Sequence, residues 1–101
     1  MVALRVLFVK SWVDDLAPVL SALAAAGFAV THERVDLAPA LWAALDRTKW
    51  DVLVCDWKTP QLSLSAVGAI VREYATALPL VVLDRLEDLP RDVKNVLARV
   101  R

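Results

Sequence analysis

Four apolar runs, each followed by a segment of helical periodicity, succeed one another along a chain of only 101 residues. That alternation restricts the fold more than any other feature, because strands joined by helices of this length form right-handed crossovers in a parallel sheet. Leu4 to Val9 is apolar apart from Arg5, the pattern of a strand covered on both faces. Trp50 to Cys55 forms the third strand, fully apolar after Asp51, and belongs at the centre. Phe28 to Arg34 alternates apolar Phe28 and Val30 with polar Thr31 and Glu33, which marks an edge. Leu80 to Leu83 is the fourth strand, introduced by Pro79.

The intervening segments carry helix punctuation. Asp14 or Asp15 caps the first helix, which runs to about Ala26 with Pro18 in its first turn and Leu16, Val19, Leu20, Leu23 and Ala24 at helical spacing. Gly27 terminates it. Asp36 is expected to cap the second helix (stripe Leu37, Ala40, Leu41, Ala44, Leu45), and Ser63 or Ser65 the third, through about Ala75 (Val67, Ile70, Val71, Tyr74). The last starts near Pro90, with Leu89, Val93, Val96, Leu97 and Val100 on one face.

The chain is one domain with no second core, repeat or linker. An apolar fraction of 58% exceeds the usual ~45–50% and points to surface that needs covering. Twelve basic and twelve acidic residues cancel without blocks, which argues against a nucleic-acid surface. Arg91, Lys94, Arg99 and Arg101 read as charges complementing the end of the last helix. No segment approaches the roughly 18 apolar residues of a membrane span, and there is no signal-peptide stretch. A cytoplasmic protein is expected. Cys55, the single cysteine, lies in the most apolar strand and reads as a buried, inert thiol in a reducing compartment.

In such a sheet, chemistry sits at the C-terminal tips of the central strands. Asp56 ends the third strand, and the first ends in Lys10, Ser11 and Trp12, so these residues share a crevice. His32, the only histidine, is expected at an exposed strand end, which leaves no catalytic dyad or zinc set. Trp42 and Trp50 sit beside apolar patterns as packing residues. Trp12 and Trp57 follow strand tips, where two indoles at one rim either lid Asp56 or anchor a partner.

Read in order, the segments Val6-Leu7-Phe8-Val9 with Asp14-Asp15, Ala26-Gly27-Phe28-Ala29-Val30, Trp50 to Asp56 with Pro60, and Leu78-Pro79-Leu80-Val81-Val82 resemble the receiver domain of two-component response regulators. The resemblance covers nearly the whole chain. It implies a flavodoxin-like open parallel sheet of four strands, order 2-1-3-4, with helices on both faces and the family's fourth helix and fifth strand missing. Only six residues, Asp84 to Leu89, separate the fourth strand from the last helix.

In that family the aspartate matching Asp56 accepts a phosphoryl group from a histidine kinase, helped by Mg²⁺ on two acidic residues, a Ser or Thr, and a Lys. Here the acidic pair falls on Lys10 and Ser11, the Ser/Thr position on Leu83 or Asp84, and the Lys has no counterpart. A Lys10–Asp56 contact is therefore expected where the family holds its metal, with Asp84 adding a repelling charge if it points into the crevice. The resemblance thus implies a pseudo-receiver without cofactor, with Mg²⁺ relevant only if Asp56 is an active phosphoacceptor. Without a fifth strand, Leu80 to Leu83 is a flat uncharged edge, and with a helix on one side only, part of its other face is bare. A homodimer through this strand and the last helix is expected, with Trp12, Trp57, Leu80, Val82, Val93 and Leu97 as interaction residues.

Overall fold

The computed structural model describes residues 1–74 and 77–100. Its elements are β1 (Val2–Val9), α1 (Ala17–Ala25), β2 (Phe28–Val35), α2 (Ala38–Arg47), β3 (Val52–Asp56), α3 (Leu64–Tyr74), β4 (Leu80–Leu83) and α4 (Leu89–Val100), the last preceded by a 3₁₀ turn at Leu86–Asp88. The four strands form one parallel sheet in the order β2-β1-β3-β4, the flavodoxin-like arrangement expected. Ala75, Arg101 and the side chain of Val100 lie outside the described residues.

Successive side chains of a strand point to opposite faces, so each central strand feeds two cores. Val6 and Phe8 of β1, Val52 and Val54 of β3 and Val81 of β4 pack under Val19 and Leu23 of α1 and Leu89 and Val93 of α4. On the opposite face Leu7, Val9, Leu53 and Cys55 meet Leu41, Ala44 and Leu45 of α2 and Val67 and Val71 of α3. Two helices per face bury β3 from end to end. Each fully buried leucine among these (Leu7, Leu23, Leu41, Leu53, Leu89) contributes about 1.5–3 kcal/mol.

The helix termini follow local chemistry, with two departures at the N-caps. Neither Asp14 nor Asp15 caps α1: Leu16 takes the N-cap position without a side-chain cap bond, while Asp15 Oδ1, one residue earlier, accepts the Ala17 N–H at 2.9 Å and Pro18 occupies the first turn. At its end Gly27 takes φ +96°, and its carbonyl accepts the Val2 N–H at 2.9 Å, so one residue closes α1 and starts the β1–β2 pairing. Ser63, rather than Ser65, caps α3 through the Ala66 N–H at 3.1 Å. Asp36 does not cap α2. Leu37 takes the cap position with extended backbone and no side-chain cap bond, so the aspartate stands one residue too early. Leu37 and Ala40, expected in the apolar stripe, are exposed, which narrows the buried face to Leu41, Ala44 and Leu45.

β2 and β4 form the two edges of the sheet, and they differ in character. β2 carries His32, Glu33 and Arg34, charges and polar groups that discourage strand addition. β4 is four residues long and wholly apolar. Its Val81 and Leu83 face α1 and α4, and Leu80 packs at the margin of the α2–α3 core. Val82, next to Leu80's side of the strand, is left 37% exposed.

Candidate functional site

β1 and β3 are in register at Val9 and Cys55, so the next residues, Lys10 and Asp56, emerge side by side. This follows from parallel pairing alone. Lys10 Nζ donates to Asp56 Oδ2 at 2.8 Å, and the Lys58 backbone N–H donates to Oδ1 at 2.9 Å. Both carboxylate oxygens are thereby occupied. Lys10 also lies 3.6 Å from Asp14 Oδ2, which gives one ammonium two carboxylates. Its own backbone N–H donates to Val35 O on β2 at 3.1 Å.

Asp56 is buried, and burial, the largest influence, pushes its pKa upward. The Lys10 hydrogen bond, the Lys58 N–H and the charges of both lysines together outweigh it, and the carboxyl ends below the ordinary aspartate value. Beneath it, burial and the nearby Asp56 charge raise the Cys55 thiol to about 11. The thiol is free, wholly buried and inert, as expected.

A cleft of about 240 Å³ opens over this pair, lined by Lys10, Asp15, Asp56, Trp57, Lys58, Asp84 and Leu86 among others. Asp84 thus does reach the crevice, and so does Asp15. Among the described residues, no hydrogen bond or ion pair joins Asp84 to Asp56 or Lys10. A divalent cation of the kind the resemblance implies does not fit this donor set. An ammonium holds the oxygen such an ion would need, and among the described residues no three His, Cys, Asp or Glu side chains converge to hold a metal.

Three expected residues are placed elsewhere. Ser11 does not line the cleft; its hydroxyl accepts the Val13 N–H at 3.4 Å, as a turn residue. Trp12 does not share a rim with Trp57. It turns towards β2, where the Arg34 guanidinium lies 4.7 Å from its ring centroid, while Trp57 stays at the cleft under the Lys58 ammonium. Val93 is fully buried against the sheet and therefore cannot meet a partner, because the amphipathic α4 spends that face on the core. Leu80 and Leu97 are half-buried, and Trp12, Trp57 and Val82 are exposed.

His32 is exposed in the middle of β2, not at its end, with its ring edge-to-face on Phe8 at 5.9 Å. Trp50 donates its indole N–H to Ala44 O, and Trp42 stacks edge-to-face on Tyr74, both as packing residues.

Two residues matter that the linear pattern did not single out. Thr59 is buried, and its hydroxyl donates to Asp56 O at 2.8 Å and Val9 O at 3.4 Å, tying the two strand tips together. A hydroxyl residue three positions after a buried strand-end aspartate is the signal that marks it. Arg34, an arginine at the tip of the edge strand, grips the β1–α1 loop through Ser11 O and Asp14 O.

No family model matches the chain, and neither a curated protein nor a solved structure matches it.

Proposed function

We propose that this chain is a pseudo-receiver, a signalling module that works by protein–protein contact and homodimerisation rather than by accepting phosphate. The observation that carries this reading is the 2.8 Å bond from Lys10 to Asp56. It places a fixed cation where a receiver needs an exchangeable one, and it occupies the lone pairs of the only residue matching the phosphoacceptor. Both phosphoacceptor helpers after the fourth strand are also replaced, one by Leu83 or Asp84 and one by nothing.

The dimer contact is assigned to the β4 edge. Its outer face offers Val82, with Leu86 exposed just beyond, and the strand holds no charge to repel another copy. A second chain, or a histidine kinase or other cytoplasmic signalling protein, is the class of partner this surface suits. The balanced charge argues against a nucleic-acid partner, and among the described residues no helix is long and apolar enough to cross a membrane. Light scattering after gel filtration tests the contact: a dimer at micromolar concentration is expected, converted to monomer by Val82→Lys with the fold intact. A stable monomer of the unsubstituted chain overturns it.

The other reading is an active receiver phosphorylated on Asp56, favoured by Asp15 and Asp84 lining the same cleft. It requires Mg²⁺ to displace Lys10. Beryllofluoride with Mg²⁺ separates the two, because saturable spectral changes at Asp56 and Trp57 support phosphorylation and their absence supports the pseudo-receiver. Under the first reading, Lys10→Asp creates Mg²⁺ binding that the parent lacks.

A further inference from the structure

The β1–α1 loop is held by a single side chain from another strand. Arg34 stands opposite Phe8 in the β1–β2 register, near the tips of both strands. From there its Nη1 reaches across to donate to Asp14 O at 2.7 Å and Ser11 O at 3.1 Å. Those carbonyls belong to the two ends of one turn, which is otherwise closed by the Asp14 N–H on Ser11 O at 3.2 Å and the Val13 N–H on the Ser11 hydroxyl. The same guanidinium stacks on Trp12, one of the two residues between them in the chain.

Two further facts show how committed this arginine is. It forms no ion pair with any carboxylate among the described residues. Its Nε has no hydrogen-bond partner among the described residues, so its hydrogen bonds run through Nη1 to the loop carbonyls.

The turn matters to the site because of what its far end carries. Asp14 is the second carboxylate of Lys10, at 3.6 Å, and the Asp14 backbone is what Arg34 binds most closely. Lys10 is in turn the cation on Asp56. We infer that Arg34 is a positioning latch: by clamping the Ser11–Asp14 turn against Trp12 it keeps Lys10 seated between Asp14 and Asp56, so that drawing Trp12 away from Arg34 loosens the ammonium on Asp56. Trp12 is 61% exposed, so the handle of the latch is accessible from outside, while Arg34 itself is half-buried. The inference rests on the observed contacts and stands whether or not Asp56 is ever phosphorylated.

Site-resolved acylation of lysines under native conditions, read by mass spectrometry, tests it. In the parent, Lys10 reacts more slowly than Lys49, Lys58 and Lys94, because its ammonium is paired and its side chain only 12% exposed. In Arg34→Met the Lys10 rate rises about tenfold relative to those three, equivalent to ~1.4 kcal/mol of lost restraint. Trp12→Ala, which removes an exposed ring and leaves the core untouched, gives a smaller rise in the same direction. An unchanged Lys10 rate in folded Arg34→Met overturns the inference, as does a rise shared equally by all four lysines, which reports general loosening. Should Arg34→Met fail to fold, Trp12→Ala decides alone, and an unaltered Lys10 rate there is also a refutation.

Discussion

Replacing Lys10 with Met removes the ammonium from Asp56 while keeping an apolar stem of similar length. Breaking a fully buried ion pair costs about 3–5 kcal/mol, because one charge is left behind without its partner. Here the two side chains retain 12% and 11% exposure, and the Lys58 N–H remains on Oδ1, so the loss belongs at the low end, about 3 kcal/mol. Against a total stability on the order of 5–15 kcal/mol for a domain of this kind, that is a large fraction.

The pH dependence provides a sharper test than the magnitude. In the parent, the folded carboxyl titrates below its unfolded value, so the pair's contribution is complete above about pH 5 and is lost as pH falls through the unfolded pKa of ~3.9 and then the folded one. Without Lys10, only Lys58 opposes desolvation and the folded pKa rises. The variant's deficit relative to the parent therefore shrinks as pH is lowered from 7 towards ~4, because the parent loses the pair's contribution there. Urea titrations at pH 7 and pH 4.5, followed by tryptophan fluorescence, measure both. Adding Asp56→Asn to Lys10→Met removes the orphaned charge and recovers at least half of the loss at pH 7. A cost below about 0.5 kcal/mol, or a double variant no more stable than the single one, refutes the view that this pair is a desolvated charge contact.

Three further outcomes follow from the geometry. Thr59→Val keeps the shape but deletes the hydroxyl donor shared by Asp56 O and Val9 O, for a loss of about 1 kcal/mol in denaturant melts. Gly27→Ala forces a β-carbon into positive φ, with free space around it but the wrong backbone region, and costs about 1–2 kcal/mol, seen as a lowered melting temperature. Cys55 resists alkylation at pH 8 in the folded state and reacts once unfolded; because its thiol is raised to about 11 in the fold against 9.0 in the open chain, stability measured by urea titration declines as pH climbs between those values.

The Lys10–Asp56 contact was readable from the linear sequence because parallel pairing of two buried strands leaves little choice at their tips. Once Leu4–Val9 and Val52–Cys55 are adjacent, the next residues of each must meet. Ser11 and Trp12, one and two residues further on, were not readable in this way. They belong to a loop, where no ladder dictates direction, and their orientation is set by Arg34 reaching over from β2. Asp36 misled for a related reason: a capping residue type is recognisable, but its distance from the first helical turn depends on where Leu37 leaves the extended region. Val93 fits two roles by its spacing, core and contact surface, and its burial leaves only the first.

The sequence by itself determined the order of the elements, the parallel sheet and the meeting of Lys10 with Asp56. These depend on short-range patterning, on runs apolar enough to demand cover on both faces and on helices long enough to cross back over them. Tertiary structure alone decided which way the loop side chains turn, which residues of α4 remain at the surface, and how Thr59 and Arg34 brace the two sides of the Asp56 site. Those outcomes depend on hydrogen bonds between residues far apart in the chain (Val9 with Thr59, Ser11 with Arg34), and no local periodicity encodes such partners.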